Sequence, residues 1–317
     1  MLASGLDFID LNFLGRPGII ATAILHGSAG AALVDPGPTT SLDRLTTELT
    51  RKGIRFEDVR QILLTHIHLD HAGATGSILE KYPHIDVLVH ERGAPHLADP
   101  SKLLNSAGRL YGQDMERLWG EVKPVDAARL TPLVGGETLS VAGRKVTVAY
   151  TPGHASHHVS YYDTGSGVAF VGDTAGIRRT STELSAPRAS VEGRGAGSFV
   201  MPPTPPPDID LEAWTQSEKA ILAWEPDTLF ITHFGPFQGA RQHFQGMFAN
   251  MSDWSRIVRR LIADASLSEE DRQAAFVEEV LREIRRQVGE SEAENYTRAG
   301  GLNYSWQGLA RYWRKRT

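Results

Sequence analysis

The sequence predicts an α/β fold in which helices cover two sheets from the outside. Three observations support this prediction. Short apolar runs that end in turn residues alternate with helical patterns up to about residue 235. Leucines at helical spacing, between a Thr/Ser cap and a glycine, mark a helix in "TSLDRLTTELTRKG". Strand-rich halves with helices outside them favour four layers, helix on sheet on sheet on helix.

The individual elements follow in order along the chain. A hairpin is predicted in "IIATAILHGSAGAALVDPG" and a short buried strand in "VRQILLTH". A helix over about 73–82, a strand at "IDVLVH" and an irregular helical stretch over about 91–120 come next. Strands are then predicted in "VTVAYTPGH", "HVSYYDTG", "GVAFVGDT" and "DTLFITH", with an amphipathic helix in "DLEAWTQSEKAILAWEP" before the last of them.

From about residue 239 the pattern is helical to the end, with breaks near 265–268 and 289–303. We therefore divide the chain into an αββα unit at 1–238 and a helical C-terminal extension at 239–317 that packs on it. Residues 177–207 are rich in Arg, Ser, Thr, Gly and Pro and predict a long loop, which we expect to act as a lid. The aromatic residues of the last helix either pack it onto the core or line a pocket or a dimer interface; they are Tyr304, Trp306, Tyr312 and Trp313.

Composition excludes several kinds of chemistry and partner. The 317 residues contain no cysteine, so a disulfide, a thiolate nucleophile and a cysteine metal ligand are all impossible. A net charge of -5 and the lack of a basic arm argue against a nucleic-acid partner. No signal-peptide pattern and no apolar stretch of roughly 18 residues is seen, so no membrane partner is expected. We expect a cytoplasmic protein that acts on a small molecule, and a homodimer stays open.

One cluster of histidines stands out in "LTHIHLDHAG". His66 and His68 lie at the end of a predicted strand, where alternate side chains point the same way. Asp70 and His71 follow on a turn that can bring them back to the same place. Chance would produce this spacing on the order of once in a thousand chains of this composition. Three imidazoles and a carboxylate suit a divalent transition metal.

Three further residues of the same kind each follow an apolar strand. His154 comes after a Pro-Gly turn in "VAYTPGH", Asp173 ends "VAFVGD" and His233 ends "TLFITH". Each residue alone is a weak signal, because a lone histidine after a strand is more often structural. Strand ends are where α/β proteins build their sites. The four strand ends together therefore predict one metal site.

The pieces "THIHLDHAG", "TPGH", "GDT" and "THFG", with "VDPGP" before them, resemble the metallo-β-lactamase superfamily, and most of all its glyoxalase II-like and lactonase-like branch. The resemblance covers roughly residues 18–235. It implies an αββα sandwich with a two-metal site between the sheets. One metal would be bound by His66, His68 and His154, the second by Asp70, His71 and His233, and Asp173 would bridge the two.

The sequence departs from the glyoxalase II pattern directly after Gly153. That family continues Gly-His-x-x-Gly-His, whereas here His157 replaces the second glycine and His158 keeps the place of the second histidine. We expect His158 to support the site or the core rather than bind metal, and His157 to lie on the surface or line the pocket. The C-terminal helices do not show the residues that glyoxalase II uses for glutathione, so the resemblance does not assign the substrate.

Other polar residues are expected to act around the metals. Asp35, in "VDPGP", commonly orients a ligating histidine in that superfamily and so fixes its tautomer; the alternative is a plain turn aspartate. His90 and His96, in "VHERGAPH", are treated as non-ligands.

The resulting prediction is a dinuclear metal-dependent hydrolase. Two metals about 3.5–4 Å apart make hydroxide available near neutral pH, and the metal-bound hydroxide would attack an ester, thioester or lactone carbonyl. Asp70 would be both a ligand and the proton shuttle. A His/Asp site without thiolate accepts Zn, Fe or Mn, and Zn is the first expectation for a hydrolase. A phosphodiesterase or nuclease of the same superfamily is the alternative, followed by di-iron redox chemistry and a non-enzymatic binding protein.

Overall fold

The structure, a computed structural model, describes residues 2–179 and 199–316. Residues 180–198, the larger part of the predicted loop at 177–207, lie outside the described residues. The flanking segments lie side by side, because Ile177 and Met201 form an isolated antiparallel bridge. The lid function of this loop stays a prediction.

The first sheet has six strands in chain order. Its first three strands are antiparallel and the pairs from the third strand to the sixth are parallel. The strands are β1 (Leu6–Asp10), β2 (Ala21–Gly27), β3 (Gly30–Val34), β4 (Val59–Leu63), β5 (Asp86–His90) and β6 (Leu130–Leu133). Val34 pairs with Leu63, so the ends of β3 and β4 lie next to each other.

The second sheet also has six strands, in the order β12-β11-β10-β9-β8-β7. Neighbours are antiparallel except for β10 and β11, which are parallel. The strands are β7 (Thr138–Val141), β8 (Arg144–Tyr150), β9 (Val159–Asp163), β10 (Val168–Phe170), β11 (Thr228–Ile231) and β12 (Gly235–Phe237). The parallel pair places the ends of β10 and β11, and the residues that follow them, at the same edge.

The α-helices of the described residues are α1 (Leu42–Arg51), α2 (Leu69–Ala72), α3 (Thr75–Lys81), α4 (Ala94–Ala98), α5 (Ser101–Tyr111), α6 (Met115–Trp119), α7 (Leu211–Leu222), α8 (Ala240–Ala263), α9 (Glu269–Val288), α10 (Glu290–Gly300) and α11 (Leu302–Arg314). The predicted break at 289–303 is wrong over most of its length, because α10 fills it. Gly289 alone separates α9 from α10, and Gly301 alone separates α10 from α11; their φ angles are +84° and +54°. No helix of the described part of the chain is long and apolar enough to cross a membrane.

Alternation along the strands produces the predicted four layers. In β3, Leu33 packs in a cluster with Leu45 of α1, whereas Val34 packs between the sheets in a cluster with Phe230 of β11. The outer face of the second sheet is covered by α7, through the fully buried Trp214. The structure therefore confirms the predicted αββα architecture and the C-terminal helices beyond it.

The C-terminal helices have an apolar cluster of their own. Trp306 and Tyr312 of α11 are buried there with Trp254 of α8 and Phe276 of α9. Tyr304 packs elsewhere, edge-on to Tyr111 of α5 at 5.3 Å between ring centroids. Most of the aromatic residues of the last helix thus pack within the helical cluster. The division of the chain into units at 1–238 and 239–317 stays a prediction.

Candidate metal centre

The residues predicted as ligands meet at one edge of the two sheets. They follow β4, β8, β10 and β11, and Asp35 follows β3. Because one face of each strand is held in the core between the sheets, the register of the strands determines which side chains reach this edge. The residues brought together are His66, His68, Asp70, His71, His154, Asp173 and His233.

Three imidazoles form the first group of facing donor atoms, where a donor atom is one that could bind a metal ion. His66 Nε2 lies 2.9 Å from His68 Nδ1, and His154 Nε2 lies 3.0 Å from the same atom. His66 and His154 are buried, and His68 is half-buried. Donor atoms this close can share one small cation.

A carboxylate and two imidazoles form the second group. Asp70 Oδ2 lies 3.4 Å from His233 Nε2 and 3.9 Å from His71 Nε2. The side chain of Asp70 is 26% exposed, whereas the side chains of His71 and His233 are 0% and 3% exposed. Asp70 is therefore the most exposed member of this group, and it lines the adjoining cavity.

Asp173 lies between the two groups. Its Oδ2 is 3.4 Å from His154 Nε2, and its Oδ1 is 3.3 Å from His71 Nε2 and 3.5 Å from His233 Nε2. Oδ1 is buried and has no hydrogen-bond partner within the described residues. A buried carboxylate oxygen is seldom left without a partner, because its desolvation is costly. Its position suits a ligand shared by two cations.

The hydrogen bonds behind the histidines show that the site fits a metal. His154 Nδ1 donates to Pro203 O at 2.9 Å, His233 Nδ1 donates to Ile19 O at 2.7 Å, and His71 Nδ1 donates to Asp35 Oδ2 at 2.8 Å. In each neutral ring the proton is therefore on Nδ1 and Nε2 presents a lone pair. The Nε2 atoms of His71 and His233 face each other at 3.3 Å. Two lone pairs repel at that distance unless a cation lies between them.

The charges of the site suit a cation as well. Burial favours the protonated form of Asp70, but His71 and His233 outweigh it and lower the pKa of Asp70 to about 2. Burial and the neighbouring imidazoles lower the pKa of His68 and of His66 well below the ordinary value. Metal ligands must be deprotonated, and these three groups are deprotonated at neutral pH.

His71 lies in the most negative part of the site. Burial lowers the pKa of its imidazole, but the carboxylates of Asp173, Asp35 and Asp70 outweigh burial and raise it well above the ordinary value. Negative charge that would hold a proton on an imidazole attracts a metal cation to the same place.

Asp35 supports this arrangement from behind. It is fully buried and accepts four hydrogen bonds, from Thr65 N at 2.8 Å, Thr65 Oγ1 at 2.7 Å, Thr232 Oγ1 at 2.8 Å and His71 Nδ1 at 2.8 Å. It thereby joins the ends of β3, β4 and β11 to a histidine of the centre, which is more than a turn aspartate does.

His158 lies behind the centre, outside the groups of facing donor atoms. It is fully buried, with its ring centroid 5.0 Å from that of His66. Its Nδ1 lies 3.0 Å from Thr151 Oγ1 and 3.1 Å from Thr174 Oγ1. The supporting role of His158 stays a prediction.

Three further histidines lie near the centre without joining it. His157 and His96 line the adjoining cavity. His90 is buried against Tyr150, with the two rings stacked at 4.4 Å. None of the three belongs to a group of facing donor atoms among the described residues.

The centre opens into a cavity of about 480 Å³ whose far wall the sequence did not predict. This wall comes from α5, α6 and the junction of α10 with α11, and includes Tyr111, Trp119 and Tyr304. A signal for it was present in "SKLLNSAGRLY", where residues at helical spacing form one continuous stripe.

Comparison with known proteins shows the family of this chain. A family model described as "Metallo-beta-lactamase superfamily" matches residues 15–233, more than half of the chain. The "Metallo-beta-lactamase fold-containing protein ST1585" of Sulfurisphaera tokodaii is 26% identical over 238 residues, which are 74% of this chain and 80% of that protein. A "Hydroxyacylglutathione hydrolase" of Synechococcus sp. (strain JA-2-3B'a(2-13)) is 30% identical over 153 residues. That match spans about half of each protein, 48% of this chain and 47% of the relative.

Solved structures show the same fold. The metallo-beta-lactamase family protein TTHA1429 from Thermus thermophilus superposes with a TM-score of 0.71 at 21% identity, covering 100% of this chain and 95% of that one. The structure of ST1585 gives a TM-score of 0.64 at 21% identity, covering 96% and 98%. The family match over residues 15–233 and the likeness to hydroxyacylglutathione hydrolases agree with the resemblance seen in the sequence, and the chain belongs to the metallo-β-lactamase superfamily of metal-dependent hydrolases.

Proposed function

We propose that this chain is a dinuclear metal-dependent hydrolase of ester, thioester or lactone bonds. The observation that carries the proposal is the pair of adjacent donor groups that face the same buried carboxylate, Asp173, beside an open cavity. The matches to hydroxyacylglutathione hydrolases, over about half their length, support an acyl compound as the substrate.

In this proposal one metal is held by His66, His68 and His154 and the second by Asp70, His71 and His233, with Asp173 shared. Zn is the first candidate, and Fe or Mn would accept the same ligands. When bound, the two ions would polarise the scissile carbonyl and lower the pKa of water towards neutrality.

The chain's own residues contribute position and proton transfer. Asp70 faces the cavity and is ionised, so it is placed to accept the proton of the attacking water and return it to the leaving group. The hydroxyl of the water joins the acyl carbon, the bond from that carbon to the leaving oxygen or sulfur breaks, and the proton completes the alcohol or thiol. The backbone carbonyls of Pro203 and Ile19 keep His154 and His233 oriented throughout.

The test is a substrate panel on protein whose metal content has been measured. Elemental analysis of protein purified without added metal should find close to two equivalents per chain. Thioesters, lactones, simple esters, β-lactams and phosphodiesters are then assayed side by side. Turnover of an acyl compound that is lost on chelation and restored by the metal supports the proposal. Activity confined to phosphodiesters would overturn it in favour of the phosphodiesterase alternative.

A further inference from the structure

The cavity beside the metal centre has a wall built from one face of α5. Six residues of this helix line the cavity, with the spacing i, i+1, i+4, i+5, i+8, i+9; they are Lys102, Leu103, Ser106, Ala107, Leu110 and Tyr111. This spacing places them on one side of an α-helix. Ser106 and Leu110 are only half-buried, so packing does not fully cover the middle of the stripe.

Aromatic rings that pack against one another form the far wall. Trp119 of α6 stacks on Phe13 with 5.8 Å between ring centroids. Tyr111 meets Trp119 edge-on at 5.1 Å and Tyr304 edge-on at 5.3 Å. Ile67 and Leu69, on either side of His68, continue the apolar surface up to the ligands themselves. The surface is therefore continuous from the metal centre to α6 and α11.

Charged groups are kept away from this interior. Outside the metal centre and its histidines, the charged residues that line the cavity are all exposed; they are Lys102, Asp114, Arg117, Asp208 and Arg298. Arg117 is neutralised by Asp114 at 2.9 Å, and Arg298 pairs with Glu294 at 3.1 Å. Burial raises the pKa of Tyr111, so its hydroxyl adds no charge at working pH.

An open apolar cavity is costly unless a ligand fills it, because its wall exposes apolar area to water. A buried site with apolar walls and a few convergent polar groups is the usual form of a small-molecule site. Here the polar groups are the reacting centre itself. The wall must then contact the part of the substrate that does not react.

We propose that the α5–α6 wall receives the apolar acyl chain of the substrate, so that this enzyme acts on medium-chain acyl esters, thioesters or lactones. This inference rests on the proposed hydrolase function. A methylene group occupies roughly the volume of a water molecule, about 30 Å³. A cavity of about 480 Å³ thus has room for on the order of ten to fifteen non-hydrogen atoms, which suits an acyl chain of about six to ten carbons with its reacting group.

The first test varies the chain and keeps the leaving group. We expect kcat/KM for 4-nitrophenyl esters to rise about two- to fourfold per methylene from acetate upward, because each buried methylene contributes roughly 0.8 kcal/mol. The rise should stop once the chain fills the cavity. A parallel titration calorimetry series with n-alkanols, from butanol to decanol, measures chain binding without catalysis, and their Kd values should fall by the same factor per methylene.

A pair of variants on neighbouring positions tests the location. Ser106→Trp places a large side chain in the cavity, and it should lower the ratio of kcat/KM for the decanoate ester to kcat/KM for the acetate ester at least fivefold. Asn105→Trp, on the exposed side of the same helix, is the matched control and should leave the whole series unchanged. If Ser106→Trp does not fold, as judged by circular dichroism, Ser106→Leu makes the same comparison with a smaller effect.

The outcomes separate this inference from the proposed function. Alkanol affinity and kcat/KM that do not depend on chain length would overturn the inference, while turnover of the acetate ester would leave the hydrolase proposal standing. Alkanol affinity that rises with length, together with no turnover of any ester, thioester or lactone, would overturn the hydrolase proposal and with it the assignment of an acyl substrate. Equal effects of Ser106→Trp and Asn105→Trp would place the chain away from α5.

Discussion

Asp35→Asn should weaken both the fold and the metal centre while leaving the shape of the side chain unchanged. The carboxylate of Asp35 is fully buried and accepts hydrogen bonds only. Oδ2 accepts three of them, from Thr65, His71 and Thr232, and Oδ1 accepts one, from the backbone N–H of Thr65. An amide group can keep three of these bonds only by placing its oxygen at the Oδ2 position. Its NH₂ group then faces the Thr65 N–H, donor against donor.

The size of the effect follows from these four contacts. A buried N–H left without an acceptor costs about 1–3 kcal/mol. The three remaining bonds lose the negative charge, and charge-assisted bonds are roughly twice as strong as neutral ones. Part of this loss is offset because the variant no longer has to bury a charge. We therefore expect the free energy of unfolding to fall by about 2–4 kcal/mol.

The metal centre should be affected through His71. The carboxylate fixes the proton of His71 on Nδ1 and makes Nε2 the more basic atom. Loss of such a partner typically lowers metal affinity roughly 10- to 100-fold. Chelator competition on purified protein measures this affinity, and urea denaturation of the metal-free and metal-loaded forms measures stability.

Two control variants make the result interpretable. Asp43→Asn changes an exposed aspartate in the first turn of α1, and it should alter stability by less than about 0.5 kcal/mol. Thr232→Val removes one of the four donors and should cost about 1 kcal/mol, with a smaller change in metal affinity. If Asp35→Asn kept both its parent stability and its parent metal affinity, Asp35 would not be the residue that orients His71.

Three further predictions concern the centre and its surroundings. Asp70→Ala should lower kcat by orders of magnitude, and a variant that keeps both its metal and full turnover would contradict the assigned proton transfer. At Gly172, where φ is +44°, an added Cβ would lie 2.4 Å from Thr65 Oγ1 and 2.8 Å from His158 Nε2. Gly172→Ala should therefore lower the free energy of unfolding, measured in urea, by more than about 2 kcal/mol. The control is Gly53→Ala, at φ +76° with no atom within 4 Å, which should cost only the backbone penalty of about 1–2 kcal/mol. Burial lowers the pKa of His243 to about 4 from 6.5, and its Nε2 donates to Ala175 O at 2.6 Å. In the unfolded chain this imidazole binds a proton below about pH 6.5, whereas in the folded chain it does so only below about pH 4. The free energy of unfolding is therefore highest above pH 6.5 and falls as the pH drops from 6.5 to 4, by about 3 kcal/mol in all. His243→Gln should remove that part of the pH dependence. The test is urea denaturation of the parent and of the variant at pH 7 and at pH 4. If the difference between their free energies of unfolding were the same at both pH values, the prediction would be contradicted.

Most of the centre could be predicted from the sequence because its signals are local. His66, His68, Asp70 and His71 lie within six residues, and each further ligand follows an apolar strand directly. A strand that ends at a turn places its next residue at the edge of a sheet, whatever the details of packing. The layers could also be predicted from the sequence, since alternation in the strands and helical periodicity between them are properties of short segments.

The partners of these ligands could not be predicted, because they are distant in the chain. The carbonyl that orients His233 belongs to Ile19, and the one that orients His154 belongs to Pro203. The helix α10 was missed because an exposed, charged sequence between two glycines resembles a loop, and only the burial of Tyr296 against its neighbours reveals it as a packed helix.

By itself, therefore, the sequence determined which histidines and aspartates meet at one edge of the sheets and the kind of layers that carry them, since both depend on the types and spacing of neighbouring residues. The tertiary structure decided what surrounds them. It turned His71 and His233 so that their Nε2 atoms face each other, and it placed α5, α6 and α11 around one cavity. The orientation of these side chains and the placement of these helices depend on contacts between segments far apart in the chain. The free energies of such contacts are set by packing and burial in the whole fold rather than by any single stretch.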